Sequence, residues 1–256
     1  MSEARIIDYF AWGDQFKMPP KINMMKAKSK DQFVFSGTQI FLAVESAIKD
    51  HMPGRAVDEL DILDFGCGVG RVAMPFFYKY RRPNACVDIM PPCIEYLREV
   101  LPEANPSRIS FTAPLAFADA SFDVIYSISV WTHMSPEDGA RWLLEMKRIL
   151  RPNGLALIST SSFSRLAAHR MLAQTTENRI RSHEWTNVTD DQLRREGIIF
   201  KGEYLKGVGA NYGLCVHDPI WVHRNWSKVM PVIETRVRGV SVELGLAQDL
   251  NIMRRP

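Results

Sequence analysis

Ile62-Leu63-Asp64-Phe65-Gly66-Cys67-Gly68-Val69-Gly70-Arg71 decides how the rest of this chain is read. The apolar residues from Val57 to Phe65 are dense enough for a strand covered on both faces. Gly66, Gly68 and Gly70 then remove every Cβ where the backbone must turn tightly and a ligand can approach. Val72, Ala73, Phe76 and Phe77 recur at helical spacing, so the turn opens a helix whose free N–H groups face the loop. Pro75 is compatible with that helix only in its first turn, which places the start close to Arg71.

The carboxylates beside the turn narrow the ligand. Asp64 precedes the first glycine by two residues and would repel a pyrophosphate, whereas it suits a cationic group. Arg71 stands where a dinucleotide fingerprint needs its third small residue, so a nicotinamide oxidoreductase is the weakest reading. Asp88 ends a second apolar strand, where a carboxylate accepts both hydroxyls of a ribose. A ligand with ammonium and ribose but no phosphate fits S-adenosylmethionine. Here the chain resembles the class I S-adenosylmethionine-dependent methyltransferases, whose first motif has this acid-x-Gly-x-Gly-x-Gly form.

The surrounding pattern agrees with that resemblance. Asn84 to Ile89 reads as the second strand, followed by a helix that Pro91 and Pro92 open and Ile94, Leu97 and Leu101 face inward. Arg108 to Phe111 begins a third strand, and Phe122 to Val130 is a fourth, with Tyr126 and Ser127 read as core. Ser135, Pro136, Glu137 and Asp138 then mark a helix start. Arg151-Pro152-Asn153-Gly154 is a turn before a fifth strand, Leu155 to Thr160. Strands alternating with helices specify a parallel sheet with right-handed crossovers and a ligand at its carboxyl edge. Beyond residue 161 the pattern gives helices over Phe163 to Gln174, from Thr189 to Gly197 and from Asp218-Pro219, then strands over Val232 to Val240 and Leu250 to Met253.

The resemblance covers about residues 58–161, including Leu115 to Asp123, Val130-Trp131-Thr132-His133-Met134 and Leu150 to Gly154. It implies an α/β, doubly wound, Rossmann-like, seven-stranded sheet of order 3-2-1-4-5-7-6, mostly parallel with an antiparallel last strand and helices on both faces. Residues 1–56 are expected as an N-terminal helical or lid extension. Residues 57–256 are expected to form the methyltransferase domain, with a substrate-recognition insertion over about 176–228. The implied cofactor residues are Asp64, Gly66, Cys67, Gly68, Gly70, Arg71, Asp88, Ile89, Ala113, Leu115 and Ser129. Relatives often place an acid after the third strand for the adenine amino group. Phe111-Thr112-Ala113-Pro114 has none, which turns the expectation to main-chain groups near Ala113 and Leu115.

Methyl transfer from a sulfonium is an in-line displacement with a neutral leaving group, so it needs alignment and, for a hydroxyl acceptor, a base. His133, just past a strand's carboxyl end, and His217, in a polar-aromatic stretch, are the candidate bases. Packing at a helix start is the competing role for His133. Tyr9, Trp12, Tyr212 and Trp221 are the candidate acceptor contacts. No metal is expected, since His183-Glu184-Trp185 lacks a second histidine at helical spacing.

Composition bounds the partners. The chain has 256 residues, 46% hydrophobic and 24% charged, with a net charge of +3. That charge is too small to argue for nucleic acid, and no apolar run spans a bilayer. Cys67, Cys86, Cys93 and Cys215 include no Cys-x-x-Cys pair and read as reduced thiols of a cytoplasmic protein. The acceptor is expected to be a small molecule methylated on O or N, with a saccharide or specialised metabolite the nearest pattern. An RNA or protein methyltransferase and a non-enzymatic S-adenosylmethionine-binding module are the alternatives. The oligomeric state is open.

Overall fold

The computed structural model describes residues 10–19, 29–172, 185, 187–202, 211–243 and 246–256. Its seven-stranded sheet has the order β3-β2-β1-β4-β5-β9-β8. The strands are β1 (Ile62–Phe65), β2 (Ala85–Asp88), β3 (Pro106–Arg108), β4 (Phe122–Ser127), β5 (Leu150–Thr160), β8 (Val232–Glu243) and β9 (Leu246–Arg254). β1 pairs in parallel with β2 and β4, in the register Leu63↔Ala85 and Ile62↔Val124. β9 enters antiparallel between β5 and β8, with Thr160 opposite Asp249. The expected order and the expected class of fold are therefore present.

The helices follow the apolar stripes. α1 (Lys30–His51) starts at Ser29, whose hydroxyl accepts from the Gln32 N–H, and buries Ile40, Phe41, Val44, Ala47 and Ile48. Those residues share one core with Ile62, Tyr126, Leu157, Leu250 and Ile252 of the sheet. α2 (Ala73–Tyr80) takes Pro75 within its first turn, where no hydrogen bond is lost. α3 (Pro91–Val100) and α4 (Pro136–Ile149) both begin at prolines, and Ser135 caps α4 through the Asp138 N–H. The opposite face of the sheet is covered by Trp142, Leu143 and Met146 of α4 with Val222 and Trp226 of α7 (Pro219–Trp226).

Several elements differ from the sequence reading: β4 ends at Ser127 rather than Val130, and β5 begins at Leu150, so residues 151–154, expected as a turn, lie within it. Val57–Glu59 is a short 3₁₀ turn and β1 begins only at Ile62, because Asp61 uses its main chain to hold Asp123. β3 spans Pro106–Arg108 and ends at Arg108, where the expected stretch begins. A second sheet pairs β6 (Ile198–Lys201) with β7 (Leu214–His217), where no strand was expected. α5 (Phe163–Leu172) and α6 (Asp190–Glu196, capped by Thr189 and closed at Gly197) stand where the pattern put them. All four cysteines are buried free thiols.

Candidate cofactor and acceptor site

The glycine turn is fastened to the neighbouring strand more than to its own. Gly66 N–H and Cys67 N–H both donate to the Val87 carbonyl, at 2.8 and 3.1 Å. Gly66, Gly68 and Gly70 have φ of 76°, 53° and 78°, the left-handed region that penalises a Cβ. Each neighbour also crowds the turn. A Cβ on Gly66 would meet Val130 Cγ2 at 2.2 Å, and one on Gly70 would meet Leu97 Cδ2 at 2.6 Å. The glycines thus serve the fold directly, besides whatever they leave open to a ligand.

Asp88 completes the turn. One carboxylate oxygen accepts from Gly68 N–H at 2.8 Å and the other from Met90 N–H at 2.8 Å. Burial raises its pKa, and these main-chain donors oppose that rise. Asp64 is 3% exposed and accepts from the Tyr126 hydroxyl at 2.9 Å. Burial pushes its carboxyl up to about 8, with the Tyr126 bond lowering it and Asp88 raising it further. Among the described residues neither carboxylate forms an ion pair. Two buried acids without a cation, at the carboxyl ends of β1 and β2, fit a ligand that brings positive charge and hydroxyl donors.

The loop after β3 is held from α4. Glu145 accepts from Leu115 N–H at 2.7 Å, and Arg148 donates to the carbonyls of Leu115 and Phe117 and to Asp119. Leu115 N–H is therefore engaged and its carbonyl is shared with Arg148, which leaves Ala113 as the less committed of the two residues expected to offer main-chain contacts. Replacing Arg148 by Ala should loosen residues 116–119 and leave the buried Glu145 carboxylate with the Leu115 N–H but no cation. The loss is on the order of 2 kcal/mol, below the fully buried case because about a third of Arg148 is exposed, and urea unfolding measures it.

Past β4 the backbone turns left-handed again. Ser129 has φ of 62°, its N–H donates to Ser159 Oγ at 2.7 Å, and its hydroxyl meets the Gln248 amide. The following segment pairs with residues 211–215 through Gly213 N–H to His133 O and Cys215 N–H to Thr132 O. This brings His133 and Tyr212 into a stacked pair, with centroids 5.1 Å apart and an interplanar angle of 5°. Phe111 meets the edge of Tyr212 at 6.1 Å. His133 Nδ1 lies 2.8 Å from the Gly213 carbonyl.

The other expected site residues are dispersed. His217 is 3% exposed, edge-on to Trp226, and burial pulls its pKa down to about 3. Trp12 is fully buried against Phe33, donates to Thr38 Oγ1 at 2.9 Å and shares a core with Cys67 and Val69. Trp221 packs against Gly197, where an added Cβ would come within 1.9 Å of its ring. Ile89 and Ala113 are half-buried, and the Arg71 carbonyl is in close approach to Gly37 of α1. Tyr9 and His183 lie outside the described residues. Tyr126, expected only as core, is a partner of Asp64, the kind of bond a tyrosine hydroxyl buried in an apolar strand usually makes. Among the described residues no three metal-ligating side chains converge, and no helix is long and apolar enough to cross a membrane.

The sheet order, the positive-φ glycine turn and the two acids beside it are the arrangement that the resemblance to class I S-adenosylmethionine-dependent methyltransferases implied. Residues 63–158 match the family model described as a methyltransferase domain. The 2-methyl-6-phytyl-1,4-hydroquinone methyltransferase of Synechocystis sp. is 26% identical over 164 residues, which is 62% of this chain and 48% of that protein. The tRNA N(3)-cytidine methyltransferase of Mus musculus is 31% identical over 108 residues, 38% of this chain and 28% of that protein. The chain thus spans about half, or less, of the length of these relatives. In three dimensions it superposes on magnesium protoporphyrin IX methyltransferase from Synechocystis PCC 6803, solved with bound SAH. That match has a TM-score of 0.56 at 12% identity and covers 100% of both chains, which is a likeness of fold.

Proposed function

We propose that this protein transfers a methyl group from S-adenosylmethionine to an oxygen or nitrogen of a small, ring-bearing molecule. The observation that carries the reading is the half-buried cluster of His133, Tyr212 and Phe111 past the carboxyl end of β4. Asp88 and the glycine turn would hold the ribose and methionine portions, and Asp64 would face positive charge. S-adenosylmethionine, when bound, supplies a methyl group on a sulfonium that leaves as a neutral thioether.

His133 is the better-placed base of the two candidates. A carbonyl only accepts, so the Nδ1 that faces Gly213 O carries the proton and leaves Nε2 with a lone pair. His217 is neutral and too weakly basic at a pKa of about 3 to take a proton near pH 7. Stacking on Tyr212 fixes the plane of the His133 ring. Phe111 and Tyr212 offer aromatic surface to an acceptor ring.

The test begins with calorimetry using S-adenosylhomocysteine, followed by transfer of labelled methyl to a panel of phenols, quinols, sugars and aromatic amines. His133→Gln should lower turnover of a hydroxyl acceptor by roughly 10²–10⁴ with cofactor affinity unchanged, and His217→Gln should change it far less. Equal turnover by wild type and both variants on a hydroxyl acceptor would remove the base from this scheme. Methylation of tRNA with steep salt dependence, and none of the small acceptors, would overturn the substrate class.

A further inference from the structure

Asp64 and Asp88 sit on adjacent strands at the mouth of the glycine turn, in the register Asp64↔Cys86 with Asp88 closing β2. They differ in how they are held. Asp88 receives two main-chain N–H groups, an arrangement that favours its anion. Asp64 receives a single phenolic hydroxyl. The ionisable groups that face Asp64 are Tyr126 from β4, Cys86 and Asp88 from β2, and Cys67 from the turn itself. Burial raises Tyr126, Cys67 and Cys86, so these three remain neutral around pH 7. No cation from the described residues pairs with either carboxylate, so the pair cannot both ionise without an uncompensated buried charge.

We propose that Asp64 holds a proton while the site is empty of cofactor and releases it to solvent when a cationic donor binds, so that binding is coupled to proton release. This rests on the proposed use of S-adenosylmethionine. The O–H bond of the Asp64 carboxyl breaks, its electron pair stays on the carboxylate and the proton passes to the buffer. The positive charge of the ligand then compensates the second anion, and the Tyr126 hydroxyl remains its hydrogen-bond donor. Tyr126 is accordingly a positioning residue: it keeps one oxygen of Asp64 in place whichever form the carboxyl takes.

The coupling has a sign. A carboxyl raised to about 8 in the folded protein stabilises the fold fully below its unfolded value, and that contribution is lost as pH rises through 8. The ligand-free protein should therefore melt at lower temperature at pH 8.5 than at pH 6, and Asp64→Asn should flatten this dependence.

The decisive experiment is titration calorimetry with S-adenosylmethionine and, separately, S-adenosylhomocysteine in phosphate and in Tris at about pH 7. Wild type should release close to one proton per ligand bound, seen as a binding enthalpy that differs between the buffers in proportion to their ionisation enthalpies. Asp64→Asn should abolish the difference. Tyr126→Phe removes the bond that favours the anion, so the pH above which release fades should move upward. This variant and the wild-type pH series decide the matter even if Asp64→Asn folds poorly. Binding with no buffer dependence, or release that persists in Asp64→Asn, overturns the proposal alone. Failure of both ligands to bind overturns it together with the proposed function.

Discussion

Gly66→Val should cost the protein its cofactor binding and most of its stability together. At φ of 76° a β-branched residue is strained by roughly 1–2 kcal/mol before any contact is counted. Its Cβ would also stand 2.2 Å from Val130 Cγ2, a separation that no rotamer of the new side chain relieves. Relief requires a new rotamer at Val130 or movement of the segment after β4, which carries Ser129 and leads to His133. Thermal unfolding and calorimetry with S-adenosylhomocysteine would report the two losses. Partial rescue separates the causes. Gly66→Ala combined with Val130→Ala removes the clash and leaves only the backbone strain. That double variant should recover much of the stability, and if it binds no ligand, the room beside Gly66 belongs to the cofactor as well as to Val130.

Asp88→Ala should weaken cofactor binding by more than one hydrogen bond's worth. A bond to a charged group contributes roughly 1.5–3 kcal/mol, about tenfold to hundredfold in affinity. Here the carboxylate has a second task, because its two oxygens hold the N–H groups of Gly68 and Met90. Its removal leaves both donors without that acceptor and loosens the turn that receives the ligand. Asp88→Asn keeps one acceptor oxygen and should fall between wild type and Ala in both affinity and melting temperature. An unchanged dissociation constant for Asp88→Ala would take the residue out of the site.

Sequence pattern revealed the elements whose signals are local. Pro91, Ser135-Pro136, Thr189 and Asp218-Pro219 mark helix starts by chemistry that depends on no distant residue, and all four helices begin there. The sheet order came from the alternation of strands and helices together with the family resemblance. β6 and β7 were missed because each is four residues long and its partner lies across a stretch with no pattern. Trp12 shows a different limit. An aromatic residue near a chain end reads as a loose contact surface, and nothing in the neighbouring sequence announces that Thr38 will satisfy its indole N–H in the core. Likewise, periodicity identifies Asp64 as a carboxylate beside a turn but cannot show that Tyr126, from β4, will lie against it. The spatial pairing of His133 with Tyr212 depends on a segment that returns from far along the chain.

The fastening of the glycine turn to β2 bears on the entropy and kinetics of ligand capture. Gly66, Cys67 and Gly68 take their main-chain or carboxylate acceptors from β2, within the protein itself. Their conformational freedom is therefore surrendered during folding, and little remains to be surrendered on association. A loop that had to order around its ligand would spend part of the gross interaction on that ordering and would slow the encounter. This turn behaves instead as a rigid receptor.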